Sequence, residues 1–479
     1  MRPTVVSRYV GLILLIGAAG MLTSALVGWI MDGRATAILS ISAILVACFG
    51  AFPMVFVPRV EELTPRESLA TVALGWISMS FAGILPYLLY GAPFTFINAL
   101  FESVSGFTTT GASILGNIQV LPAGILFWRS MTHWIGGVGI IVLALAIFPS
   151  LSTVGHSLMR AEISPVALGP KVARAREIAR VVLFVYVGLT LLETIALMAA
   201  GLSLYDASTT SFGTIATGGF SVRDGSIAFY HSVTVEIVVT IFMILAGMNF
   251  ALLYGLVITK GRPRGGTTTA FAYLSMLAIG MLMVTLDLKE RMGIDWTDSL
   301  RYGAFQVASI GTSSGFASAN TSIWPGGSQA MLMLLALICA SAGSTSGGIK
   351  VDRIVLFAKL VRARLYTLGH PEGIAPIRLE GRRIPEETAR DAMFFVVAYL
   401  AGVLVAALAV AFTGVPLVES ASGTIACMGN VGPGLGTVGS MGNYGALPGL
   451  AKLLLAGVMI TGRLEIFPIL LLASRRFWR

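Results

Sequence analysis

Apolar runs long enough to cross a bilayer recur along the whole of this 479-residue chain. A helix spanning the hydrocarbon core needs about 20 predominantly apolar residues. Such runs lie near 9–31, 36–57, 68–90, 122–148, 178–201, 233–259, 267–287, 329–360 (interrupted), 393–414 and 448–473. Only 11% of residues are charged and the mean hydropathy is +0.86. The chain therefore reads as an all-α membrane protein with ten transmembrane helices, provided the shorter apolar pieces between the runs do not cross. The first run follows Arg2 and Arg8 as a secretory leader would. It is too long for a leader and a second run follows at once, so it reads as a retained helix.

A net charge of +9 would suit a nucleic-acid partner, but the placement of the basic residues argues otherwise. With the N-terminus inside, 24 of the 32 Lys and Arg residues fall on inner segments. They include Arg59 and Arg66, the group Arg160, Lys171, Arg174, Arg176 and Arg180, and nine residues from Lys350 to Arg390. That bias places both termini in the cytoplasm and makes the charge topological. Cys48, Cys339 and Cys427 show no metal or disulfide spacing. His133, His156, His231 and His370 are scattered, with no nucleophile–base pattern, so a membrane enzyme is disfavoured.

Four outward-facing connections carry a related string: SGFTTTGAS (105–113), FGTIATGGFS (212–221), SIGTSSGFAS (309–318) and CMGNVGPGLG (427–436). Each follows a short, partly apolar segment, and the unit recurs about every 100 residues. Gly111, Gly218, Gly315 and Gly432 align, although the second alignment can also be set on Gly219. The chain divides accordingly into two N-terminal helices (1–64) and repeats at 65–155, 175–262, 266–366 and 388–479.

A half-helix ending inside the membrane leaves its last carbonyls unpaired, with the negative end of its dipole pointing inward. Non-helical backbone at that depth is tolerated only where it lines a protein-enclosed or watery cavity. Four such re-entrant loops around one axis would present a ring of oxygens able to replace the hydration shell of a monovalent cation. Glycine allows the backbone angles that aim those carbonyls inward.

With FWRSMTHWIGGVGIIVLALAIFP (127–149), AGMNFALLY (246–254), SAGSTSGGIKVDRI (341–354) and GRLEIFPIL (462–470), these loops resemble the TrkH/TrkG/KtrB superfamily of potassium-uptake transporters over nearly the whole chain. The two helices before the first repeat make the TrkH/TrkG type the nearer likeness. The resemblance implies potassium uptake across the bacterial inner membrane, K⁺ as the transported ion and no cofactor in this chain. It also implies a homodimer with one pore per protomer, and a TrkA-like cytoplasmic subunit that binds nucleotide and controls gating. The basic stretches 150–180 and 361–391 carry no Gly-rich nucleotide fingerprint, in keeping with a separate nucleotide-binding subunit. A potassium-binding filter is implied at Thr109, Thr110 and Gly111; Ala216, Thr217 and Gly218; Ser313, Ser314 and Gly315; and Asn430, Val431 and Gly432. No loop reads TVGYG, so weaker discrimination against sodium and rubidium is expected than in a potassium channel. The fourth loop departs most from the pattern, with Asn430, Val431 and Pro433.

The run 329–360 is interrupted by CASAGSTSGGIK (339–350). Its three glycines cost a helix about 1 kcal/mol each relative to alanine, so a break is expected, unless the small residues serve close helix packing. The family carries an intramembrane gating loop there, implying a gate of Gly343, Ser344, Thr345, Ser346, Gly347 and Gly348, with Lys350 and Arg463 beside it. A cation in mid-span must pair or face a cavity. Arg463 could hydrogen-bond this loop beneath the filter or pair with Glu465. Lys350 could anchor the loop or snorkel to the surface. Glu102 and Glu419 could draw cations to the loops or hold loop amides, and Arg129 and His133 are expected to buttress the filter. A sodium- or proton-coupled carrier is the alternative. Carriers of that kind often have inverted repeats, whereas these repeats are an even number of spans apart and share one orientation, which favours a pore.

Overall fold

The computed structural model describes residues 1–58, 63–147, 175–258, 266–371, 375–379, 382–474 and 477. The inner-side residues Arg59, Arg160, Lys171, Arg174, Lys260, Arg262, Arg264, Arg475, Arg476 and Arg479 lie outside these. So does most of the stretch 150–180.

The described chain is nearly all helix. Among the described residues six helices are long and apolar enough to cross a membrane: Pro3–Met31, Thr36–Phe56, Arg66–Tyr90, Arg180–Ala199, Thr267–Met292 and Glu386–Ala411. Two bent pairs raise the number to eight if each is one span: Val233–Ala246 with Phe250–Leu256, turned by 103°, and Gly449–Arg463 with Ile466–Leu472, turned by 110°. The other two expected runs are interrupted. Ala123–Ile147 contains a non-helical residue, Gly139. The run 329–360 is divided between Gly326–Ile338 and Val351–Gly369. Arg378–Leu379 and Arg382–Arg383 form a short antiparallel hairpin.

The polarity of the fold is that of a membrane protein. Phe49, Phe52, Val55 and Leu404 are at least 62% exposed on helix exteriors, while Thr109, Thr217, Ser313 and Asn430 are at most 1% exposed. So wide an apolar exterior suits contact with lipid.

Four short helices interrupt the spanning ones: Phe96–Phe107, Leu204–Ile215, Trp296–Gly311 and Leu417–Met428. At 1.5 Å per residue, the three of 12 residues reach about 18 Å and Trp296–Gly311, of 16, about 24 Å, all short of a roughly 30 Å core. Thr95 and Ser203 cap the first two by accepting the backbone N–H groups of Asn98 and Asp206. All four stop at a cap residue with near-helical φ, namely Thr108, Ala216, Thr312 and Gly429, after which the backbone turns left-handed.

The N-terminus is tied into this frame. Arg2 donates to Glu67 at 2.8–2.9 Å, and Glu67 closes a capping box with Thr64 at the start of the third long helix.

Candidate functional site

Each of the four loops repeats one backbone pattern. A left-handed residue (Thr109, Thr217, Ser313, Asn430) is followed two positions later by a left-handed glycine (Gly111, Gly219, Gly315, Gly432). The residue between them donates its N–H to a carbonyl five residues back: Thr110 to Ser105, Gly218 to Gly213, Ser314 to Ser309 and Val431 to Ala426, at 2.8–2.9 Å.

The loops close on one another as a ring. A Cβ placed on Gly111 would lie 2.0 Å from the carbonyl oxygen of Gly218. One on Gly219 would lie 2.1 Å from that of Ser314, and one on Gly315 2.1 Å from that of Val431. Gly432 completes the circuit, 2.5 Å from that of Thr110. In every case the glycine of one loop meets the middle residue of the next.

This geometry shifts the second loop by one position. Thr217, Gly218 and Gly219 match the other three triplets, so Gly219 rather than Gly218 is equivalent to Gly111, Gly315 and Gly432. Ala216 has helical φ and caps the short helix, as Thr108 does in the first loop. The consecutive glycines leave both registers open in sequence, and the hydrogen bond from Gly218 to Gly213 decides between them.

An open cavity of about 340 Å³ lies against one face of the ring, lined by Gly111, Gly219, Gly315 and Gly432. Behind the ring, Glu102 and Arg129 are buried and paired at 2.8 Å. Glu102 also accepts from Ser113 Oγ and Ile114 N, and Arg129 donates to the carbonyl of Ser221 at 3.0 Å. Arg129 therefore neutralises Glu102, whose carboxylate also holds the Ile114 amide and the Ser113 hydroxyl of the loop. His133 stacks on Phe220 at 4.1 Å and accepts from its N–H. Glu419 sits beside Gly436.

At the half-helix ends of the ring lies the loop 339–350. Cys339 and Lys350, both with positive φ, bound it. It touches several repeats. Ser313 Oγ donates to Ser346 Oγ at 2.9 Å and accepts from Gly347 N. Thr345 Oγ1 donates to Ile215 O at 2.9 Å. A Cβ on Gly347 would lie 2.4 Å from Gly429 O, and Ser344 Oγ donates to Ser341 O. Gly343 and Gly348 both have positive φ.

Arg463 donates to Thr345 O at 2.7 Å and Gly136 O at 2.8 Å, so it engages the loop and not Glu465. Glu465 instead takes Arg353 at 2.7 Å and Lys350 at 3.6 Å. Lys350 is thus buried and anchored rather than snorkelling. Asn249, at the 103° bend, is a partner that sequence reasoning missed. Its side chain donates to Ala342 O at 2.7 Å, while Phe250 N donates to Gly343 O. A lone Asn within an apolar run was its signal. Among the described residues no group of three or more His, Cys, Asp or Glu side chains could hold a metal ion.

A family model described as a cation transport protein, TrkH, matches residues 40–289 and 267–479. The Trk system potassium uptake protein TrkH of Escherichia coli is 34% identical over 99% of both chains. That of Halomonas elongata is 35% identical over 88% of this chain and 87% of its own. The crystal structure of the potassium transporter TrkH from Vibrio parahaemolyticus superposes with a TM-score of 0.89 at 31% identity, covering both chains completely. The chain belongs to the TrkH family of cation transport proteins, a family of transporters and not of enzymes.

Proposed function

We propose that this protein takes up potassium across the bacterial inner membrane through the four-loop ring. The observation that carries the reading is the closed circuit of glycine–carbonyl contacts from Gly111 to Gly218, Gly219 to Ser314, Gly315 to Val431 and Gly432 to Thr110. Backbone carbonyls held this tightly can replace a cation's hydration shell without collapsing. The filter residues are Thr109, Thr110, Gly111, Thr217, Gly218, Gly219, Ser313, Ser314, Gly315, Asn430, Val431 and Gly432. Ten crossings and four re-entrant loops, one per repeat, complete the topology, with both termini cytoplasmic.

The loop 339–350 acts as the gate. It meets the ring at Ser313 and the half-helix end at Ile215, and Arg463 and Lys350 hold it. A homodimer and a TrkA-like nucleotide-binding subunit complete the assembly, supported by the likeness to relatives named as parts of a Trk system. The test is growth and ion uptake in a bacterium lacking its own potassium importers, supplied with this chain and a TrkA-like subunit. Restored growth on low potassium together with uptake of potassium and rubidium is the expected result. No potassium movement would turn attention to a coupled carrier of another substrate.

A further inference from the structure

Three charged side chains line the 340 Å³ cavity over the ring: Arg129, Arg223 and Asp224. Two of the three are matched. Arg129 is neutralised by Glu102 at 2.8 Å. Arg223 meets Asp206 through two hydrogen bonds of 2.9 and 2.8 Å, and Tyr230 donates to the same carboxylate. Asp224 has no such counter-ion among the described residues. Its Oδ1 accepts the backbone N–H of Ile118 at 2.7 Å, and the side chain is half-buried at the cavity wall. The wall therefore carries one uncompensated negative charge over a floor made by the four ring glycines.

We infer that Asp224 is the cation-recruiting residue of the outer mouth, raising the local concentration of monovalent cations before they reach the ring. This rests on the reading of the ring as a cation path. A charge on a cavity with low-dielectric walls focuses the field and enriches the opposite ion. It works through space on a hydrated ion, so it enriches potassium, rubidium and sodium alike and leaves discrimination to the ring. It is also screened. The Debye length falls from roughly 30 Å at 0.01 M to 10 Å at 0.1 M and 3 Å at 1 M salt.

The decisive variant is Asp224→Asn, because the amide oxygen can still accept from Ile118 N while the charge is gone. Uptake is measured in whole cells against external potassium, at low and high ionic strength set with a large impermeant cation. At low ionic strength, Asp224→Asn should raise the half-saturating concentration of potassium and of rubidium by about two- to fivefold, the effect of one charge across a few ångströms of water. Maximal rate and the potassium-to-sodium preference should stay at the wild-type level. The difference should vanish at high ionic strength, Asp224→Glu should match the wild type, and Asp224→Lys should exceed Asp224→Asn. If wild type transports potassium but Asp224→Asn has the same half-saturation at low salt, the inference falls and the ring reading survives. The inference also falls if Asp224→Asn lowers only the maximal rate regardless of salt, which marks a structural role. If wild type moves no potassium, both fall together.

Discussion

Gly111 and Gly218 belong to different repeats, yet a methyl group on the first would come within 2.0 Å of the carbonyl oxygen of the second. Gly111 also has φ +79. Any side chain there meets two penalties, about 1–2 kcal/mol for the left-handed backbone and a clash with a backbone that no rotamer change can relieve. Gly111→Ser should therefore open the ring between the first and second loops. The expected outcome is residual transport with weakened preference for potassium over sodium, read from paired uptake of the two ions.

The one-residue shift of the second loop has its own test, since both candidate glycines are crowded but by different atoms. A Cβ on Gly219 would strike Ser314 O, which is backbone, whereas one on Gly218 would strike the His133 ring at 2.4 Å. Trimming the ring can relieve only the second. In the His133→Ala background, Gly218→Ala should recover a large part of the uptake it loses in the wild-type background. Gly219→Ala should recover none. Equal rescue of both would contradict the register of Thr217, Gly218 and Gly219.

Membrane-length helices were legible because bilayer thickness converts directly into run length, and the short helices because runs of 12 or 16 residues fall short of the hydrocarbon core. Bends were not. The run 233–259 is long enough for one straight helix, but it turns by 103° around Asn249, whose partner Ala342 lies 93 residues away. Hydropathy says that a segment lies in lipid or protein, not in which direction it continues. Arg463 shows a similar limit. Its need for partners was readable, but Glu465, two residues on, instead serves Lys350 and Arg353, and Arg463 finds carbonyls in two other repeats.

Glu102 and Arg129 are at most 1% exposed and 2.8 Å apart. Removing one member of such a pair leaves a buried charge without its partner and costs about 3–5 kcal/mol. Glu102→Gln should give a large drop in the melting temperature of the detergent-purified protein. Glu102→Gln combined with Arg129→Met should recover part of it, because the stranded charge is gone. A single variant as stable as wild type would show that the pair does not hold the first and second loops.

Gly347 sets how closely the loop 339–350 can approach the ring. A Cβ there would lie 2.4 Å from Gly429 O and 2.9 Å from Asn430 Oδ1, both on the fourth repeat. Arg463 pulls the same loop inward by donating to Thr345 O, an interaction with a charged donor worth about 1.5–3 kcal/mol. Gly347→Ala pushes the loop out and Arg463→Gln loosens the clasp, so both should shift the gate toward open. A shift of 1.4 kcal/mol is tenfold in an equilibrium, so about tenfold more ion flux without the regulatory subunit is expected from Arg463→Gln. Gly457→Ala is the matched control on the helix that carries Arg463, because a Cβ there meets nothing within 4 Å. It should leave flux unchanged. The measurement is rubidium flux into proteoliposomes holding each variant alone. Should Gly347→Ala and Arg463→Gln both match wild type while protein yield is normal, the loop would be a fixed plug lining and not the moving gate.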